Sequence, residues 1–346
     1  MSKKDLNVLK LKKLNLNNID FLTYSNFKLC LKKSIKKKTF LVAVSGGPDS
    51  LALTALSKTY STDQGNKVFF VLIDHSIRSN SSKESKAVKQ LLKKKNITLT
   101  ILKNKEKINK NIQSQARDVR YKLLLNFCKK NRIKFILTAH HRDDQIETFL
   151  IRLSRGSGVQ GLSSMKKISN LKNQIKLIRP LLDEKKQQLT LIAKKYFGNF
   201  FKDPSNTNKK FLRTKIRNLI KQFEKSGIKH ESIINSINNL SVTRDTINSY
   251  TTRVEKSCVK KKKKELIINL QRFSAENNEI QLKVFSNCIK YISKSYYPPR
   301  AKKIENLLNR AKFEKKLKAT LGGCIIQKNQ NSLIIQKEEL KKGLKF

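Results

Sequence analysis

The chain lacks a C-x-x-C pair, any apolar run near the length of a membrane span, and a lysine where a Walker phosphate loop requires one. Acids are scarce as well. Each lack closes off a class. The five cysteines, Cys30, Cys128, Cys258, Cys288 and Cys324, are scattered, which argues against a zinc site, an iron–sulfur site or a disulfide framework and suits a reducing cytosol. No stretch approaches the roughly 20 apolar residues of a bilayer helix. The N-terminus is basic but interrupted by Asp5, Asn7 and Asn15, so it does not read as a secretory signal. The expected location is the cytoplasm. Against 25 Asp and Glu stand 77 Lys and Arg, a formal +52, so a polyanion is the favoured partner and nucleic acid leads. Yet Lys, Asn and Ile dominate throughout, as in a chain encoded by an AT-rich genome. Neutralising only roughly 6–10 phosphates already makes binding steeply salt-dependent. The charge supports RNA binding without locating it.

What is present is an alternation of strand and helix patterns between about residues 40 and 200. The runs 40–44, 68–73, 97–102, 134–139 and 175–180 predict strands. Ala87, Val88, Leu91 and Leu92, and later Ile112, Ala116, Val119, Leu123 and Leu124, lie at helical spacing between them. Such repeats imply an α/β, doubly wound, mainly parallel sheet with ligands beyond the carboxyl ends of its strands. Beyond about residue 215 the pattern turns helical. Lys260 to Lys264 reads as a solvated linker or helix face, and 319–326 with 332–335 as a hairpin. The expected organisation is a basic N-terminal segment (1–38), an α/β domain (39–215), and a mostly helical domain with a small β element (216–346).

The first strand empties into Ser45-Gly46-Gly47-Pro48-Asp49-Ser50. Glycines let backbone N–H groups approach an anion, the following helix adds its positive end, and Pro48 suits the first helical turn. Ser45 and Ser50 can donate hydroxyls to phosphate, and Asp49 can hold Mg²⁺. A Gly-Gly-Pro turn is also common punctuation between strand and helix. The segment resembles the PP-loop of the ATP pyrophosphatases, which cleave ATP between its α and β phosphates.

Three further segments carry chemistry. Asp74 and His75 end the second strand, where they can contact a nucleoside, and Arg78 a phosphate. Asp in such a place often only caps a turn. Arg117, Arg120 and Tyr121 share a helix face, a phosphate clamp or an ordinary ion-pair surface. His140-His141-Arg142-Asp143-Asp144-Gln145-Ile146-Glu147-Thr148 is the densest polar cluster. Asp143, Asp144 and Glu147 can bind Mg²⁺ or the ammonium of a small cation. Dipole stabilisation alone accounts for an Asp here, but not for Glu147, Arg142 and two histidines together.

This cluster, continuing through Arg152-Leu153-Ser154-Arg155-Gly156-Ser157-Gly158, resembles the tRNA(Ile)-lysidine synthase family. So does the order of the PP-loop hexapeptide, Asp74 to Arg78, Arg117 to Tyr121, Arg179-Pro180-Leu181-Leu182, and Asp203 to Asn206 with Arg213 and Arg217. The match extends to about residue 220 and is loose beyond it. The resemblance implies ATP- and Mg²⁺-dependent adenylation of the wobble cytidine of a CAU-anticodon tRNA(Ile), then displacement of AMP by free L-lysine. Asp49, Asp143, Asp144, Glu147 and His140 are the catalytic candidates, with Asp49 the metal ligand. Ser45 to Ser50, Asp74 and His75 are the nucleotide candidates. Arg78, Arg117, Arg120, Arg155, Arg213 and Arg217 are the tRNA candidates, and a homodimer is compatible with the sequence. The alternatives are a 2-thiolation enzyme of the same fold, which typically needs paired cysteines, an amidotransferase-coupled synthetase, which needs a glutaminase, and an inactive basic RNA-binding protein.

Overall fold

The run Phe40-Leu41-Val42-Ala43-Val44 forms strand β1 (Phe40–Val44), buried on both faces. The computed structural model describes residues 18–77, 80–106, 112–201, 212–295 and 299–338. In it β1 pairs in parallel with β2 (Val68–Asp74) on one side and with β4 (Phe135–Leu137) on the other. β3 (Leu99–Lys103) extends one edge in parallel. Beyond β4 lies β6 (Lys176–Ile178), also parallel, and then β5 (Ile168–Asn170), which is antiparallel and was not expected. The order is β3-β2-β1-β4-β6-β5. Strand order reverses between β1 and β4, so their carboxyl ends open a crevice.

Alternation along β1 explains the two layers. Phe40, Val42 and Val44 face a core shared with α1 (Asn18–Ser34), α2 (Pro48–Gln64), α3 (Ser81–Lys93) and α7 (Lys186–Phe197). Leu41 and Ala43 face α4 (Ile112–Lys130) through Leu124 and Cys128. The segment 18–34 therefore does not stand apart as a basic arm. Tyr24, Phe27, Leu31 and Ile35 are fully buried, at the helical spacing that should have revealed them. Tyr24 and Lys28 bond Asp63 of α2, and Thr23 and Asn26 donate to buried Glu184.

Helix α5 (Arg142–Leu153) follows β4, and the short α6 (Val159–Leu162) follows it. Ile146 and Leu150 of α5 pack with Ile216 and Ile220 of α8 (Leu212–Lys225). The chain divides into compact units at Asn238/Asn239, within α9 (His230–Cys258), rather than at 215/216, because α8 belongs to the first core. The second unit has its own core, built from α11 (Asn278–Ser293), α12 (Ala301–Phe313) and a sheet ordered β7-β8-β11-β10-β9. These strands are β7 (Val259–Lys261), β8 (Glu265–Asn269), β9 (Leu317–Leu321), β10 (Cys324–Asn329) and β11 (Ser332–Lys337), with the small helix α10 (Leu270–Ser274) after β8. The expected hairpin is β10–β11. The lysine run 260–264 is the end and turn of a second hairpin, β7–β8, closed by Lys262 donating to Glu265 O at 2.9 Å.

Candidate active site

The loop after β1 is braced from within. Ser45 Oγ donates to Ser50 Oγ at 3.0 Å, Ser45 N donates to the same oxygen at 3.1 Å, and Ser50 Oγ donates to Gly47 O at 3.0 Å. Ser50 is buried and its hydroxyl accepts two of these bonds and donates one; Ser45 is exposed. Gly46 has φ +85°, and a Cβ there would lie 2.6 Å from Val88 Cγ2. Only glycine fits. Phe201 N donates to Gly46 O at 3.0 Å and fixes the loop from above. Among the described residues no side chain caps α2 at Gly47, so the first-turn N–H groups stay open for an anion.

Asp49 sits in that turn. Its Oδ1 is buried without a hydrogen-bond partner among the described residues, and its Oδ2 lies 3.5 Å from His141 Nε2. An orphaned carboxylate oxygen at the mouth of a phosphate loop fits a hard cation such as Mg²⁺.

The loop after β4 is organised the opposite way. His141 caps α5: its Nδ1 accepts the Asp143 N–H at 3.2 Å, and Asp144 Oδ2 accepts the His141 N–H at 3.1 Å. Because Nδ1 must accept, the ring carries its hydrogen on Nε2. That nitrogen points between Asp49 and Asp144 Oδ2, the latter at 3.6 Å. Burial alone would lower the His141 pKa, but the bond to Asp49 and the charges of Asp144, Asp49 and Asp143 outweigh it and raise it. Burial would raise Asp144, but His141, His140 and Arg213 hold it below the usual carboxylate range. His140 is pushed down to about 3 by burial, with Arg179, Arg117 and Arg213 adding to the shift and Asp144 opposing it. Its Nδ1 lies 2.9 Å from Thr138 Oγ1.

Glu147, one turn further on, is 3% exposed. Arg217 Nε donates to its Oε1 at 2.6 Å, and Arg213 Nε lies 3.6 Å from Oε2. Arg213 and Arg217, expected as tRNA contacts, lie against a catalytic candidate. The Asp74 carboxylate accepts from Ser76 N, Ser81 Oγ and Ser82 Oγ at 2.9, 2.9 and 2.7 Å, which locks the loop after β2. His75 keeps a buried Nδ1 without a partner among the described residues. Burial and the nearby Arg120 lower its pKa. Arg117 stacks on Tyr121 at 5.1 Å, and Arg120 and Arg155 are exposed. Arg78 and Asp203 to Asn206 lie outside the described residues.

Gln145, Arg152 and Arg179 stand in the sequence motifs without an assigned role, and the structure makes them supports. Gln145 clips Met165 through N and O, at 2.8 and 3.0 Å. Arg152 Nη1 donates to Gly161 O and Ser164 O, and Arg179 Nη1 to Lys166 O and Ser169 Oγ. No local pattern announces such contacts. The bridging role of His141 had one signal, its place immediately before an acidic helix start.

The PP-loop domain family matches residues 22–223. A tRNA(Ile)-lysidine synthase of Wolbachia pipientis wMel is 36% identical over 302 residues, covering 86% of this chain and 70% of that protein. Another, from Orientia tsutsugamushi (strain Boryong), is 31% identical over 309 residues, covering 86% and 69%. Among solved structures, a U34-tRNA thiolase from Methanococcus maripaludis with its 4Fe-4S cluster has a TM-score of 0.54 at 19% identity, over 64% of this chain and 78% of that one. That likeness shows the fold alone. Taken with the open phosphate loop facing an acidic helix at the sheet's switch point, these matches show that the chain belongs to the tRNA(Ile)-lysidine synthase family of PP-loop proteins.

Proposed function

We propose that this chain joins L-lysine to C2 of the wobble cytidine of a CAU-anticodon tRNA(Ile), using ATP to adenylate the base and releasing diphosphate and then AMP. One observation carries the reading. The loop after β1 and the acidic cluster at the start of α5 face each other at neighbouring strand ends, within reach of one histidine nitrogen.

The open N-terminus of α2, Ser45 and Gly47 hold the triphosphate. Asp49 holds Mg²⁺, which when bound neutralises charge on the leaving diphosphate. The wobble base leaves its stack to enter the crevice, as an unpaired loop base can. The Glu147–Arg217 pair matches a free amino acid, whose ammonium and carboxylate repeat the same two charges. Lysine's attacking amine starts with a pKa of roughly 10.4. An ammonium has no lone pair, so one proton must leave before attack. As the C–N bond forms and the bond to AMP breaks, the nitrogen becomes acidic and gives up a second proton, with Asp144 or the neutral His140 as acceptor. Asp143 adds charge to the same turn. Arg117, Arg120 and Arg155, with the basic residues of Asn239–Phe346, contact tRNA outside the reacting base.

A thiolation enzyme is disfavoured by the cysteines. Burial pushes Cys128 and Cys288 up to about 12, the wrong direction for thiolate ligands. The test mixes purified protein, Mg·ATP and labelled lysine with CAU-anticodon tRNA(Ile) or initiator methionine tRNA. Label is expected on tRNA(Ile) alone. No label beside an active control enzyme would overturn the reading.

A further inference from the structure

We propose that His141 is a positioning residue that holds the ATP-splitting and lysine-joining halves of the site in register. The inference rests on the functional reading above and deepens it. His141 is 4% exposed, and its ring is tied at both ends. Nδ1 accepts from Asp143 N, and Nε2 faces Asp49 Oδ2 at 3.5 Å and Asp144 Oδ2 at 3.6 Å. The main chain of His141 also donates to Asp144 Oδ2 at 3.1 Å. The cap at the start of α5 therefore fixes the tautomer, and the tautomer presents one N–H to two carboxylates from different elements. Unshielded, those anions would repel and turn apart. With the donor between them, the metal-facing acid of the PP-loop and the amine-facing acid of α5 share one reference point. An outer-shell group that orients two acting groups in this way affects both.

Two variants separate this role from plain capping. His141→Asn keeps a good cap acceptor but has no atom at the Nε2 position. His141→Gln reaches that position with an N–H but caps poorly. In His141→Asn the melting temperature should stay within about 3 °C of the unsubstituted chain, since Asn is a preferred N-cap. Diphosphate release and lysine transfer should both fall about 10- to 100-fold, the usual loss for a hydrogen bond to a charged group. Calorimetric affinity for the Mg²⁺ complex of a non-hydrolysable ATP analogue should fall similarly, and His141→Gln should recover part of each loss. Unchanged binding and turnover in a folded Asn variant, or a defect in only one half-reaction, overturns the proposal. A second measurement covers an Asn variant that does not fold. Asp49→Asn and Asp144→Asn should be non-additive in analogue binding when His141 is present; additive effects refute the coupling. Failure of the unsubstituted chain to label tRNA(Ile) would instead remove the functional reading, and the binding cycle would still judge His141.

Discussion

Two helices begin at neighbouring strand ends in this protein, and they treat their first turns in opposite ways. α2 starts at Gly47 with no side-chain cap among the described residues, leaving its N–H groups exposed to an anion. α5 starts at His141, whose imidazole and Asp144 close the same kind of donors internally. Both termini carry the same positive dipole. The difference lies in what satisfies it. Where the protein leaves its donors open, the helix start suits an anion. Where its own acids answer the dipole, the helix start presents negative charge and suits a cation. In the proposed function, capping chemistry thus separates the nucleotide end of the crevice from the amine end.

The sharpest way to break this comparison is at the open end. Asp49→Ala should reduce diphosphate release by about a thousandfold, the order of losing one transition-state charge partner. Gly46→Val should act comparably by another route, costing about 2 kcal/mol or more through left-handed strain and the clash with Val88. Stopped assays of diphosphate with melting curves distinguish the two. Near-normal release in Asp49→Ala would remove the metal-ligand assignment.

At the closed end, Glu147→Gln should raise the KM for lysine about 10- to 100-fold while changing ATP use little. It should also destabilise the fold by about 2 kcal/mol, because the ion pair between Glu147 and Arg217 is lost. Adding Arg217→Gln should recover stability but not the lysine KM. Recovery of both would make the pair structural only.

A smaller effect concerns acid. His140 has a folded pKa of about 3, below its unfolded value of roughly 6.5. The unfolded chain therefore binds the extra proton first, so stability falls as pH drops from about 6.5 toward 3, by at most about 1.4 kcal/mol per pH unit. His140→Gln should flatten the melting temperature between pH 7 and 5. An unchanged slope would show that another group dominates. The smallest change is expected from exposed Arg155→Ala, which should leave melting unaffected and reduce the salt slope of tRNA binding by about one.

Legibility in the sequence follows the range of the interactions. The PP-loop was readable because its parts lie within six consecutive residues and glycine's backbone freedom is a local property. The parallel strands of the first sheet were readable because their apolar residues run on continuously, as buried strands require. The serine donors around Asp74 were not legible, because a carboxylate at a strand end looks the same whether it meets a ligand or three serine donors. Glu147 and Arg217 were both singled out, but for separate jobs. Their bond spans 70 residues, and no periodicity encodes it. The antiparallel β5 and the β7–β8 hairpin were missed because short strands and a lysine-rich turn carry little pattern.

The sequence by itself determined the class of fold, the phosphate loop and the presence of an unusual acidic helix start, since each depends on neighbours a few residues away. Only the tertiary structure decided which acids are free to act. Strand order placed β4 beside β1, α8 packed back onto α5, and those two events brought His141 to Asp49 and Arg217 to Glu147. Charge pairing depends on distance in space, and a chain's sequence leaves that distance open until the core has closed.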